Sequence, residues 1–206
     1  MKRLNYKELV LEYAQKSYTQ GLIAGTSGNL SVRTNDGYIV ITPSGMDYMK
    51  MTVDDVVVID LEGQVIEGMH RPSSEWPLHT EIYKSKPEVN GVVHTHSPYA
   101  TAFSVINQAI PLILVEMVAF LKGDVRVAPV ATQGTPEVGL GVIEALNERT
   151  ACLMQNHGAV SIGQSLPEAF VRAEYVEDAA KVCQLARTIG GLTLVPEEMA
   201  KEMLSR

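Results

Sequence analysis

The sequence predicts an α/β domain in which a mixed, largely antiparallel sheet carries helices on its faces. Three observations lead there. Apolar runs of strand length occur in pairs joined by turn signals as well as singly between helical stretches. Helical periodicity opens the chain and recurs through it. No linker, repeat or low-complexity tract divides the 206 residues, a length that suits one domain with a substantial core, so residues 1–206 are read as a single domain. The paired strands argue against the strict strand–helix alternation of a doubly wound sheet.

The elements follow in chain order. Leu9, Val10, Tyr13, Ala14 and Ser17 recur at helical spacing, which predicts a helix over 6–20. Leu30 to Arg33 and Tyr38 to Thr42 flank Thr34-Asn35-Asp36-Gly37, a hairpin signal, and Val56 to Asp60 and Val65 to Glu67 flank Leu61-Glu62-Gly63-Gln64, a second one. Ser73 or Ser74 is placed to cap a helix that runs to about Ser85, where Pro87 stops it. Gly91 to His94 reads as a short buried strand, and Pro98 suits the first turn of the next helix. Residues 136–148 read as helix and 151–162 as strand, turn, strand. Pro167 opens a long helix with Ala169, Ala173, Val176, Ala180 and Cys183 on one stripe.

Composition excludes several partners. Hydrophobic residues are 46% and charged residues 20%, ordinary for a soluble globular protein. The longest apolar stretch, Ile110 to Leu121, is broken by Pro111 and Glu116 and is too short for a membrane span. The first residues carry charge but no apolar signal core, so no signal peptide is expected. Two cysteines make no disulfide framework, and a reducing cytoplasm fits best. A net charge of −7 without a basic run argues against nucleic acid. It leaves room for a small phosphate, which backbone N–H groups bind without a basic surface.

The chemistry concentrates in a few places. In Val92-Val93-His94-Thr95-His96 the two histidines are i and i+2 on a strand, so they project from one face and are placed to share a metal ion. His157, in Gln155-Asn156-His157-Gly158, ends an apolar strand beside a glycine and supplies a third imidazole. Three histidines with one position open resemble a catalytic zinc site and can polarise a substrate oxygen. Glu75 stands before Trp76 in Pro72-Ser73-Ser74-Glu75. Its spacing fits a first-turn carboxylate favoured by the helix dipole, a general base beside the metal, or a metal ligand paired at i,i+4 with His79. Gly25-Thr26-Ser27-Gly28-Asn29, Thr42-Pro43-Ser44-Gly45 and Pro72-Ser73-Ser74 are small, hydroxyl-bearing loops, none of them a P-loop or a dinucleotide fingerprint. Together with a metal site they point to a phosphorylated, hydroxylated substrate.

Taken in order, the Gly25–Arg33, Ile41–Gly45, Pro72–Glu75, Val93–His96 and Gln155–Gly158 segments resemble the class II aldolase/adducin-head family. The resemblance runs from the first helix to about residue 190. It implies an αβα sandwich and a divalent ion of the zinc type, Zn2+ with Mn2+ or Co2+ as other occupants, on His94, His96 and His157. It implies a cyclic homotetramer with active sites between subunits. It makes Glu75 the catalytic acid/base and His79 structural, and it makes Gly28, Asn29, Ser44, Gly45, Ser73 and Ser74 the phosphate ligands. The implied reaction is reversible retro-aldol cleavage of a ketose 1-phosphate, such as L-fuculose 1-phosphate or a related 5-deoxyketose 1-phosphate, to dihydroxyacetone phosphate and an aldehyde. The same scaffold also serves dehydration of methylthioribulose 1-phosphate, 4-epimerisation of ribulose 5-phosphate and non-catalytic adducin-like assembly. A tyrosine that the family's fuculose-phosphate branch lends to a neighbouring subunit is matched here by Val115, beside Glu116. Glu116, a lone carboxylate in Leu114-Val115-Glu116-Met117-Val118, is costly to bury unless paired, protonated or at work. It is expected either to replace that tyrosine as proton donor, its pKa raised by apolar surroundings, or to pair with Arg126 or Arg172 at an interface.

Overall fold

A computed structural model describes residues 3–205. The chain runs α1 (Leu4–Thr19), β1 (Asn29–Arg33), β2 (Ile39–Ile41), a 3-10 turn (Val53–Asp55), β3 (Val57–Ile59), β4 (Val65–Glu67), α2 (Trp76–Ser85), β5 (Gly91–Thr95), α3 (Pro98–Val105), a π-helical turn (Met117–Leu121), β6 (Arg126–Ala128), α4 (Pro136–Leu146), β7 (Ala151–Met154), β8 (Gly158–Gly163), α5 (Leu166–Ile189) and α6 (Glu197–Leu204). The strands form one eight-stranded sheet in the order β4-β3-β2-β1-β5-β8-β7-β6. Every pairing is antiparallel except β6 with β7. The expected mixed, largely antiparallel sheet between helical layers is what forms.

Alternation along the strands decides what each face buries. On one face Ile39, Ile41, Val57, Ile59, Val92, Val160 and Ile162 pack against Leu78, Ile82 and Tyr83 of α2 and Val138 and Val142 of α4. On the other, Leu30, Val32, Val40, Val58 and Val93 pack against Val10 and Ala14 of α1 and Leu166, Ala169 and Phe170 of α5. Leu153 and Ala159 meet α3, the π-helical turn and the later turns of α5 on that second side. The stripe read in α5 is the buried one: Ala169, Ala173, Val176, Ala180 and Cys183 all face inward. Ser165 caps this helix by accepting from the Glu168 N–H, and Pro167 sits in its first turn, where a missing N–H costs nothing.

Three expectations shift. The helix after Ser73-Ser74 starts at Trp76 with Glu75 at the N-cap position, and neither serine is its cap residue. Ser73 Oγ accepts from the Glu75 N–H instead, and the Glu75 side chain makes no capping bond because it is turned into the protein. The helix expected over 136–148 ends at Leu146, where Asn147 takes a positive φ of 47°. Strand β6, the π-helical turn and α6 occupy stretches whose short or irregular patterns predicted no element. Among the described residues, no helix is long and apolar enough to cross a membrane.

Candidate metal centre and active site

The register between β1 and β5 builds the centre. Asn29 lies opposite His94, and Ser31 opposite Val92. Period-two alternation therefore puts Asn29, Ser31 and His94 on the face that α2 covers. His96 follows β5 directly, its N–H bonded to the Leu22 carbonyl. His157 arrives from the turn between β7 and β8, in which Asn156 takes a left-handed φ of 58°, a conformation asparagine tolerates. Gly158 lets this turn seat against β5: a Cβ there would lie 2.2 Å from the Thr95 carbonyl oxygen. Glu75 reaches the same point from the start of α2. Ligand atoms of Glu75, His94, His96 and His157 all lie within 4.8 Å of one another.

The chemistry of this donor set fits a divalent cation. His94 Nδ1 donates to the Ala159 carbonyl at 3.0 Å, which turns Nε2 into the cluster. That nitrogen is 3.0 Å from His96 Nε2 and 3.2 Å from Glu75 Oε2, while His157 Nε2 is 3.2 Å from Glu75 Oε1. The three rings stand edge to face, with centroids 4.8–4.9 Å apart. Glu75 Oε1 is buried with no hydrogen-bond partner. Acceptors that converge this closely repel unless a proton or a cation lies among them, and a cation satisfies all of them at once. The charges agree. Burial alone would raise the Glu75 carboxyl, but His94, His157 and the Asn29 hydrogen bond outweigh it and hold the group well below the usual carboxylate range. Burial and the charges of His94 and His157 push His96 down to about 4, and burial and His94 lower His157. Burial also works against protonation of His94, but the facing Glu75 carboxylate raises it on balance. The three imidazoles thus compete for one positive charge, the condition a metal ion meets.

Beside this cluster lies a cleft of about 110 Å³. Gly28, Asn29, Ser44, Gly45, Ser73 and Ser74 all line it, together with Glu75 and His96. The sequence segments that resembled the family's phosphate loops are therefore one surface here, although they span 47 positions of chain. Their assembly has local causes. The Ser73 N–H donates to the Thr42 carbonyl at 2.9 Å and the Ser44 N–H to that of Arg71 at 3.0 Å, so two hydroxyl loops are zipped together. The buried Tyr48 hydroxyl donates to the Gly28 carbonyl at 2.7 Å and anchors the third. Gly28 has φ 74°, and a Cβ there would lie 2.8 Å from the His94 carbonyl oxygen, so only glycine brings the loop this close to β5. Among the described residues, no lysine or arginine lines the cleft. Polar groups of the three loops line it instead, and the first N–H groups of α2 are already engaged, Trp76 donating to the Ser73 carbonyl and Leu78 to that of Glu75.

Not every expected residue joins. His79 lies outside the cluster: its Nε2 is 2.5 Å from Asn29 Oδ1 and its Nδ1 2.6 Å from Ser31 Oγ. The i,i+4 metal pairing with Glu75 is thereby excluded, since both ring nitrogens are already used. Glu116 is exposed, at the entry to the π-helical turn, and lines neither the cleft nor the cavity beside His157. The expected apolar burial is corrected: Met117 and Val118 take the inward positions of that turn and leave Glu116 outside. Within the protomer both candidate arginines have other carboxylate neighbours. Arg126 stands 3.9 Å from Asp124, and Arg172 pairs with Glu168. Sequence reasoning missed Gln133, which lines both the cleft and a cavity of about 220 Å³ against His157, because the loop before α4 carries no recognisable pattern. It also missed the polar row behind Glu75. The signal was there, since Asn29 and Ser31 alternate with apolar residues in a strand buried on both faces.

Residues 8–184 match the family described as the class II aldolase and adducin N-terminal domain, and the chain belongs to that family. Particular relatives narrow the comparison. The chain is 34% identical over 201 residues, 97% of its own length and 94% of the relative's, to 5-deoxy-D-ribulose 1-phosphate aldolase of Bacillus thuringiensis serovar kurstaki. It is 38% identical over 182 residues, 88% of its length and 84% of the relative's, to L-fuculose phosphate aldolase of Escherichia coli strain K12. Among solved structures, an L-fuculose 1-phosphate aldolase superposes with a TM-score of 0.93 at 36% identity, covering 98% of this chain and 95% of that one.

Proposed function

We propose that this protein is a divalent-metal-dependent aldolase that cleaves a ketose 1-phosphate reversibly to dihydroxyacetone phosphate and an aldehyde. It is a lyase of the class II aldolase kind. One observation carries the reading: a Glu75–His94–His96–His157 cluster, in which one buried carboxylate oxygen makes no hydrogen bond, opens onto a cleft lined by three hydroxyl and glycine loops. The named relatives support the substrate class, L-fuculose 1-phosphate or a 5-deoxyketose 1-phosphate.

His94, His96 and His157 hold the ion, with Zn2+ the first candidate, because imidazole sites of this kind also take Mn2+ or Co2+ less selectively. The ion supplies electrophilic stabilisation of substrate oxygens on which negative charge develops. Gly28, Asn29, Ser44, Gly45, Ser73 and Ser74 bind the phosphate and so fix where the carbon chain lies. In cleavage, the hydroxyl on the carbon that becomes the aldehyde loses its proton and the neighbouring carbon–carbon bond breaks. The electron pair stays on the dihydroxyacetone-phosphate fragment as an enediolate. In cleavage Glu75, having taken up a proton from solvent, delivers it to that carbon to give dihydroxyacetone phosphate and returns to the carboxylate, and in the synthetic direction the carboxylate removes the same proton. The depressed Glu75 pKa keeps the resting carboxylate ionised, ready to act as the base.

Glu116 sits on the outer surface with exposed Val115 and Phe120 nearby in the chain. We assign it to the active site of a neighbouring protomer in a homotetramer, where it exchanges the proton of the aldehyde oxygen. A reducing, cytoplasmic setting suits the free, buried Cys152 and Cys183. The test is a panel of ketose 1-phosphates incubated with Zn2+-, Mn2+- and Co2+-loaded protein, with dihydroxyacetone phosphate release as the readout. Release from at least one 5- or 6-carbon ketose 1-phosphate is expected. No release from any of them, with metal bound at one per chain, rejects the reading.

A further inference from the structure

We propose that His79 is a positioning residue: by donating from Nε2 to Asn29 it fixes the polarity of the Asn29 amide and thereby leaves Oε1 of Glu75 as the oxygen that carries the proton. The inference rests on Glu75 being the acid/base of the proposed aldolase reaction.

A line of buried hydrogen bonds runs behind the metal centre. Asn29 Nδ2 donates to Glu75 Oε2 at 2.7 Å. An amide has one donor end and one acceptor end, and an ionised carboxylate only accepts, so Oδ1 of Asn29 faces the other way. It faces His79 Nε2 at 2.5 Å, and that nitrogen must therefore bear the proton. His79 Nδ1 is then a lone pair and accepts from the Ser31 hydroxyl at 2.6 Å. Ser31 Oγ in turn accepts from the Tyr83 hydroxyl at 2.8 Å. Every donor points the same way, from Tyr83 through Ser31, His79 and Asn29 to the carboxylate.

Nothing else can replace these partners. His79 and Ser31 are fully buried, and Tyr83 and Asn29 are exposed by 1% and 3%. Burial pushes the His79 pKa down to about 3, so the ring is neutral and a single tautomer is held. With the opposite tautomer, Asn29 would have to present its NH2 to His79 and its oxygen to Glu75. That arrangement sets acceptor against acceptor at Oε2 and is relieved only by a proton on that oxygen. The observed polarity does the reverse. Oε2 is occupied as an acceptor, and Oε1, buried, without a hydrogen bond and 3.2 Å from His157 Nε2, is the oxygen left to take and return a proton.

Two measurements test this. The first needs no activity: long-range proton–nitrogen correlation spectra of the metal-loaded protein labelled with 15N-histidine. His79 is expected as the Nε2–H tautomer, and a proton on Nδ1 overturns the proposal. The second compares substitutions. His79→Leu is expected to lower kcat by roughly tenfold to a hundredfold, the range for partners that orient a site's working groups, with KM and bound metal unchanged. His79→Gln, which offers an N–H near the Nε2 position, is expected to recover most of that loss. In a Glu75→Gln background His79→Leu is expected to cost nothing more, because the oxygen whose proton it places is gone. Equal losses in both backgrounds, or no rescue by glutamine, would show that His79 only supports the fold. A protein with the Nε2–H tautomer that cleaves no ketose phosphate leaves the relay standing and rejects the aldolase reading alone. If His79→Leu does not fold, the tautomer and the glutamine variant still decide.

Discussion

Glu75 follows two serines and Glu116 stands in an apolar stretch, yet the fold buries the first carboxylate and exposes the second. Glu75 is 3% exposed, bonded to Asn29 at one oxygen and set against two histidines. Glu116 is exposed, before a π-helical turn whose Met117 and Val118 point inward. Burying a charge is costly unless partners meet it, so the difference lies in the partners. Around Glu75 the register of β1 and β5 delivers an amide and an imidazole, and the β7–β8 turn a second imidazole. Around Glu116 no described residue of the same protomer supplies such a partner, and the side chain stays on the protomer's surface. An apolar sequence neighbourhood thus does not bury a carboxylate; a surface of matched polar groups does.

The sharpest way to break this comparison is to remove a partner on the Glu75 side. His94→Ala or His157→Ala is expected to abolish both metal binding and cleavage. Metal analysis at full occupancy in either variant would show that the cluster is not the metal site. Glu75→Gln comes next. It keeps size and hydrogen bonding but cannot take a proton, so metal content and fold should persist while the rate falls about 10²–10⁴-fold. A rate within threefold of the parent would move the acid/base role to another group.

Backbone fit ranks third. Gly158→Ala forces a Cβ against the Thr95 carbonyl oxygen at 2.2 Å, and backbone on both sides leaves little room to yield. A loss of about 1–3 kcal/mol or more in urea unfolding is expected, with weaker metal affinity as His157 shifts. An unchanged unfolding midpoint would show that the turn is free to move.

The pH dependence of stability sharpens the buried side further. His79 is held neutral, with its pKa lowered by burial to about 3 against about 6.5 in the unfolded chain. Between these values the unfolded state binds one more proton at this residue, so its contribution is full above about pH 6.5 and declines as pH falls toward 3. Comparing chelator-treated parent and His79→Gln from pH 6 to 4, the parent should lose about 1.4 kcal/mol more per pH unit. Parallel curves would mean that His79 is protonated in the fold.

Glu116 carries the smallest expected effect. Glu116→Ala should slow cleavage several-fold while leaving the exchange of the dihydroxyacetone-phosphate proton by Glu75 intact. Loss of both together with dissociation of the oligomer would make Glu116 an interface residue, and no change in either would remove it from the reaction.

Much of this was legible in the chain. The hairpin turns and the α5 stripe are local patterns, and local patterns survive folding because they reflect backbone geometry and burial period. The His94–His96 pair was legible for the same reason, since alternation along a strand needs no partner to be read. The capping serines were not, because Glu75 takes the N-cap position and Ser73 accepts from its N–H while the Glu75 side chain is drawn inward. The polar row of Asn29, Ser31, His79 and Tyr83 was written in the sequence as four separate residues, and His79 was left without a task.

Apart from the phosphate ligands, which were read from the family resemblance, the sequence by itself determined the kinds of element, the sheet type and the histidines placed to share a metal ion. Those properties depend on composition and short-range period. Only the tertiary structure decided which groups meet: that His79 stands behind Asn29 instead of on the metal, that Gln133 enters the cleft, and that Glu116 remains outside. These depend on strand register and on the packing of α2 and the loops across the sheet. Hydrogen bonds between residues some fifty positions apart are set there, and no local pattern encodes them.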